Sequence, residues 1–259
     1  MTWWQAVCLG GVQGLTEFLP ISSSGHLILI SRLFHIAGHS LAFDVFLHAG
    51  TLLAVLAAFR RTFRELVRRP FSRPVGLLLV STAPTVAVGV LFEDAFAQMF
   101  HGGATLGLEF IVTGLLIWFA EARQRETAPG GREITYRGAW WIGVAQGAAI
   151  MPALSRSALT LCTALSLGVD RKTAVEYSFV LSAPVILGAV LWESRSQALS
   201  GGAGLPLWCG CAASAVTGYL AIRLMLRWVR QRRLGVFAWY TLLLGLAIVA
   251  GQILVHRFF

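Results

Sequence analysis

Glu17, His26 and Arg156 are ionisable residues set in apolar sequence, with serines in the same two segments. They belong to two segments, QGLTEFLPISSSGH at 13–26 and QGAAIMPALSRSALT at 146–160. Ionisable groups are costly inside a bilayer, so their presence in apolar stretches points to function. The planar guanidinium of Arg156 matches phosphate oxygens with two parallel hydrogen bonds. Ser155, Ser157 and Thr160 surround it, and a helix starting near Ser157 adds backbone amides and a positive dipole end. His26 follows Ser22-Ser23-Ser24-Gly25, and a Ser–His pair suits proton transfer and nucleophilic catalysis. Glu17 could orient His26, tune a nucleophile, or hold a divalent cation such as Mg or Ca with a substrate phosphate. The structural alternatives are an Arg156–Glu17 ion pair, a hydrogen-bonded buried glutamate and a satisfied core histidine.

The elements that must position these groups are membrane elements. The chain has 259 residues, 56% hydrophobic and 13% charged, where a soluble domain carries about 25% charged residues. Its net charge of +9 does not point to nucleic acid, because 14 of 20 arginines fall in 60–73, 123–137 and 227–233. Short basic stretches between apolar segments mark cytoplasmic loops. Cys8, Cys162, Cys209 and Cys211 lie in apolar sequence without metal-ligand spacing and read as buried free thiols. The start, MTWWQAV, lacks the positive residue of a cleaved signal peptide. His35 and His39 read as surface residues, His48 as the start of a span, and His101 and His256 as peripheral.

Six segments are long enough to cross a bilayer: 42–59, 75–92, 105–121, 174–193, 206–226 and 237–256. Residues 3–34 and 138–169 are interrupted by Pro20 and Pro152 with their serines. Backbone broken at membrane depth survives only inside protein or beside a watery cavity, so both read as re-entrant helix–loop–helix hairpins. LLLVSTAPTVAVGVL (77–91) echoes FVLSAPVILGAVL (179–191). The expected fold is an all-α integral membrane protein of six transmembrane helices and two re-entrant hairpins in an inverted-topology repeat. It is one domain, with repeat one over 1–121 and repeat two over 138–256. The basic loops then lie in the cytoplasm, both chain ends outside, and the hairpin tips meet near the midplane.

QGLTEFLPISSSGHL with PALSRSALT, together with DVFLHAGTLLAV at 44–55, closely resembles the undecaprenyl-diphosphate phosphatases of the bacitracin-resistance type. The resemblance implies a bacterial plasma-membrane enzyme, often a homodimer, that dephosphorylates the lipid carrier of cell-wall synthesis. It also implies interlocked inverted repeats and a pocket opening to the periplasm. Position by position, the family's catalytic glutamate falls on Glu17, its histidine on His26 and its arginine on Arg156. Its serines fall on Ser22, Ser23, Ser24, Ser155 and Ser157, its threonine on Thr160. Gln13 stands where family members carry Glu or Gln, which leaves one carboxylate fewer for a metal. Ala153 and Ala158 replace the glycines of the usual PGxSRSGxT.

The expected reaction is hydrolysis of a polyprenyl diphosphate to the monophosphate and inorganic phosphate, without an organic cofactor. Arg156 clamps the terminal phosphate and Ser23 attacks, with His26 as base and Glu17 orienting it. Attack by His26 itself or by water is the open variant. A carrier that flips polyprenyl phosphate shares the same plan, but has no need of a proton-transfer group such as His26.

Overall fold

The computed structural model describes residues 1–36, 41–92, 105–124, 131–151, 154–195, 204–230 and 234–255. Eleven α-helices and no strand occur among the described residues: α1 (Trp3–Phe18), α2 (Ser23–Leu33), α3 (Leu41–Ala58), α4 (Arg60–Arg68), α5 (Arg73–Leu91), α6 (Leu106–Gln124), α7 (Tyr136–Ala148), α8 (Arg156–Ser166), α9 (Arg171–Arg195), α10 (Leu205–Arg230) and α11 (Gly235–Val255). This is the all-α membrane architecture expected.

Both broken segments fold as hairpins, and the local chemistry explains each break. Thr2 and Gln5 form a reciprocal capping box at the start of α1. At its end Pro20 disfavours helical geometry for the residue before it, and Leu19 is extended (φ −83°, ψ 145°). Ser22 then adopts φ 69° and caps α2 by accepting from the Gly25 amide at 3.2 Å. A serine at positive φ is uncommon, and such strain gathers at functional sites. In the second hairpin Thr135 caps α7 and Ser155 caps α8, accepting from Ala158 N–H at 3.2 Å. Pro152 and Ala153 lie outside the described residues, as do His39, His101 and His256.

The spans depart from expectation in three ways. Among the described residues four helices, α5, α9, α10 and α11, are long and apolar enough to cross a membrane. The pair α3–α4 makes a fifth only if counted as one span, bent by 82° between Ala58 and Arg60. The stretch 60–73, expected as a loop, therefore contains a nine-residue helix. The reason is amphipathic spacing: Phe63 packs back onto the core while Arg60, Arg61, Arg64 and Arg68 face outward. Finally, α6 carries Glu109, Glu121 and Arg123. Both glutamates are buried, and Glu121 faces Arg171 at 3.8 Å, so its charge is turned inward rather than absent. His48 lies within α3 rather than at its start, His35 is exposed, and Cys8 is exposed rather than buried.

Hairpin and span pair reciprocally. The first helix of hairpin one, α1, packs on α10; the first helix of hairpin two, α7, packs on α5. Each contact is close because a glycine lies at it. A Cβ at Gly10 would overlap the Gly210 backbone, and one at Gly143 would overlap the Ser81 carbonyl. Hydroxyls add to these contacts, with Ser81 donating to the Ala139 carbonyl of α7 at 2.7 Å and Ser214 of α10 to the Leu47 carbonyl of α3 at 2.8 Å. The main core lies where the hairpins meet the spans, and holds Phe18 edge-on to Phe179 at 5.4 Å, with Leu161, Ile222 and Met225.

Candidate active site

The two breaks bring two helix N-termini together. Ser23 is the first residue of α2 and Arg156 the first of α8, and both bond to Glu17, one residue from the end of α1. Glu17 Oε2 accepts from Ser23 Oγ at 2.6 Å and from Gln13 Nε2 at 3.1 Å. Glu17 Oε1 accepts from Arg156 Nη2 at 2.7 Å. The carboxylate is buried, as is Gln13 one turn before it. The first residues of two helices, one of them carrying a guanidinium, thus meet at one carboxylate, and helix N-termini with a guanidinium favour anions.

Arg156 is held from both sides. Its Nη1 donates to the Ser178 carbonyl on α9 at 3.2 Å, and Ser178 Oγ shares a 2.6 Å hydrogen bond with Thr160 Oγ1. Ser157 donates across to the Leu19 carbonyl at 2.8 Å, tying α8 to the break of the other hairpin. Ser155 caps α8, and its hydroxyl lies 3.1 Å from that of Ser157. The hydroxyls of Ser155, Ser157 and Thr160 therefore hold the start of α8, which presents Arg156. Ser24 is half-buried on the first turn of α2. The space between Phe18, Pro20, Ser157, Ser178 and Phe179 is too tight for a water molecule.

His26 is wired differently from expectation. Its Nδ1 lies 2.6 Å from the Ser22 carbonyl. A carbonyl only accepts, so Nδ1 carries the hydrogen and Nε2 the lone pair of the neutral ring. Nε2 meets the Tyr240 hydroxyl at 2.7 Å. The expected series of Glu17 on His26 and His26 on Ser23 is thus replaced by a direct Ser23–Glu17 contact. The cause is local: the imidazole folds back one turn onto the carbonyl four residues earlier, while Ser23 at the helix start faces α1.

Tyr240, Phe110, Ser178 and Thr113 are site neighbours that motif reading does not reveal. Phe110 sits edge-on to His26 at 5.2 Å, and Thr113, one turn further along α6, accepts from the Ser155 amide at 3.4 Å. All four lie outside the two hairpins, on α6, α9 and α11, where a lone polar or aromatic residue carries no local signal. A divalent cation would find only a partial shell here. Glu17 is the carboxylate of the site, the Gln13 Oε1 atom is buried without a partner, and no group of three His, Cys, Asp or Glu gathers among the described residues. That donor set suits a hard ion sharing its coordination with phosphate oxygens and water.

With this geometry in place, comparison with known proteins is decisive. The family described as bacitracin resistance protein BacA matches residues 6–247. The chain belongs to this family. Among its relatives, the undecaprenyl-diphosphatase of Carboxydothermus hydrogenoformans is 41% identical over 257 residues, covering 97% of this chain and 98% of the relative. The undecaprenyl-diphosphatase 4 of Bacillus thuringiensis is 41% identical over 258 residues, with 97% and 98% covered. That of Halothermothrix orenii is 41% identical over 251 residues, with 95% and 96% covered. The BacA match runs from within α1 into α11, so every residue of the Glu17 cluster lies inside it.

Proposed function

We propose that this protein hydrolyses undecaprenyl diphosphate to undecaprenyl phosphate and inorganic phosphate, recycling the lipid carrier of cell-wall synthesis and so conferring bacitracin resistance. The observation that carries the mechanism is that one buried carboxylate, Glu17, holds both the Ser23 hydroxyl and the Arg156 guanidinium. Arg156 binds the terminal phosphate with the N–H groups not committed to Glu17 and Ser178. The first-turn amides of α2 and α8 add to the cradle, and Gln13, Ser22, Ser24, Ser155, Ser157 and Thr160 shape it. Positioning and charge stabilisation dominate such phosphoryl transfers. Ser23 Oγ attacks the terminal phosphorus while its proton passes to Glu17 Oε2. The bridging P–O bond breaks and undecaprenyl phosphate leaves. Water then cleaves the phosphoserine, releasing phosphate, with His26 as the second proton carrier. A divalent cation, Mg or Ca, would be held by Glu17 and Gln13 Oε1 and would neutralise phosphate charge. A nucleophile already bonded to its base favours catalysis over passive carriage of the lipid.

Ser23→Ala tests the mechanism in purified, detergent-solubilised protein. Release of phosphate from undecaprenyl diphosphate should vanish while diphosphate binding persists, because the Arg156 clamp is on the other hairpin. Undiminished release would move the attack from Ser23 to water or His26.

We read 60–73, 123–137 and 227–233 as cytoplasmic from their arginines, and the pocket as opening toward the periplasm, as the family resemblance implies. The reciprocal packing of α1 on α10 and α7 on α5 fits an inverted repeat. In a background lacking the four native cysteines, Glu65→Cys and Arg230→Cys should resist impermeant thiol reagents in intact cells. Ready labelling at either would reverse the orientation.

A further inference from the structure

A basic stripe lies apart from the Glu17 cluster, on α4. Its neighbours α3 and α5 end at Ala58 and begin at Arg73, so α4 is tied at both ends to apolar helices. The bend of 82° after Ala58 turns it nearly perpendicular to α3, along the plane in which a membrane-crossing helix meets water. Arg60, Arg64 and Arg68 fall four residues apart on one face, a stripe about 12 Å long at 1.5 Å per residue. Arg61 flanks it, and Glu65 is the one carboxylate on the helix. All four arginines are exposed, and none forms an ion pair among the described residues. Phe63 and Val67, also four apart, make the apolar face. Phe63 packs on the core, whereas Val67 and, just beyond the helix, Phe71 are exposed.

We propose that α4 is a docking surface for anionic phospholipid headgroups. Arg60, Arg64 and Arg68 bind the headgroup phosphates, and Val67 and Phe71 sit among the acyl chains below them. A helix with an arginine-rich face and an apolar face lies in the membrane interface. A guanidinium matches phosphate oxygens with two parallel hydrogen bonds, and an anionic leaflet attracts basic segments next to a span. A soluble acidic partner would satisfy the arginines but leave Val67 and Phe71 in water, so lipid fits both faces of the helix. This surface is independent of the phosphatase reading and of which side of the membrane α4 occupies.

A bimane label on Val67→Cys, in the full chain lacking the four native cysteines, reads the lipid beside α4. The protein is reconstituted in phosphatidylcholine vesicles doped with brominated phosphatidylglycerol or with brominated phosphatidylcholine, whose bromines quench the label. Phosphatidylglycerol should be preferred by about five-fold, the fold-change of about 1 kcal/mol for one basic residue at an anionic surface. Joint Arg60→Gln, Arg64→Gln and Arg68→Gln should bring the two lipids to parity. These side chains are exposed, so the variant should fold, which its thermal unfolding checks. Joint Arg123→Gln, Arg137→Gln and Arg227→Gln removes the same charge at other exposed positions and should leave the preference intact. Equal quenching by the two lipids, or a preference that survives loss of the stripe, would overturn the proposal. So would an equal loss in the charge-matched variant, which would assign the preference to net charge. Quenching by neither lipid would place α4 in water and leave its arginines for a soluble acidic partner.

Discussion

Glu17→Gln should lower phosphate release per folded molecule by about a thousand-fold, within the range for removal of a general base. The amide is nearly the same size, but it cannot take the Ser23 proton that Oε2 receives across 2.6 Å. It also leaves Arg156, now 2.7 Å from a carboxylate oxygen, with a neutral partner. Removing one partner of a buried pair destabilises by about 3–5 kcal/mol, and the Arg156 side chain is only 15% exposed. Thermal unfolding in detergent should therefore shift down in the same variant. Comparison with Ser23→Ala separates the two effects, because that variant loses the nucleophile and keeps the ion pair. Glu17→Gln protein that turns over at a tenth of the normal rate or faster would remove Glu17 from the proton path.

Arg156→Lys carries the second large effect. Lysine preserves the charge and can still meet Glu17, so the protein should fold. It cannot bond Glu17 and the Ser178 carbonyl through two fixed nitrogens, as Arg156 does at 2.7 and 3.2 Å. It also lacks the fork that grips two phosphate oxygens. By analogy with the loss of one oxyanion donor, kcat should drop by about a hundred- to a thousand-fold, or roughly 3–4 kcal/mol. Turnover close to wild type in the Lys variant would show that charge alone suffices and that the planar fork plays no part.

The sequence by itself determines the membrane class, the two hairpins and the identity of the charged cluster. These depend on local chemistry. A bilayer demands apolar segments, Pro20 ends α1, Ser22 and Ser155 cap the helices that follow, and Glu17 and Arg156 are conspicuous because their neighbours are apolar. The tertiary structure decides the wiring. Arg156 reaches Glu17 across 139 residues of chain, and Ser23 takes the second oxygen of the same carboxylate, so His26 is left to Ser22 and Tyr240. It also decides that the carboxylates of α6 turn inward and that the basic stretch after Ala58 bends into α4. Partner choice was not legible because the spans are uniformly apolar, and apolar surface carries no code for which helix meets which. Close approach at small residues such as Gly10 on Gly210 and Gly143 on Ser81 sets those pairings. Only once they are set do Phe110, Ser178 and Tyr240 arrive at the two hairpin tips.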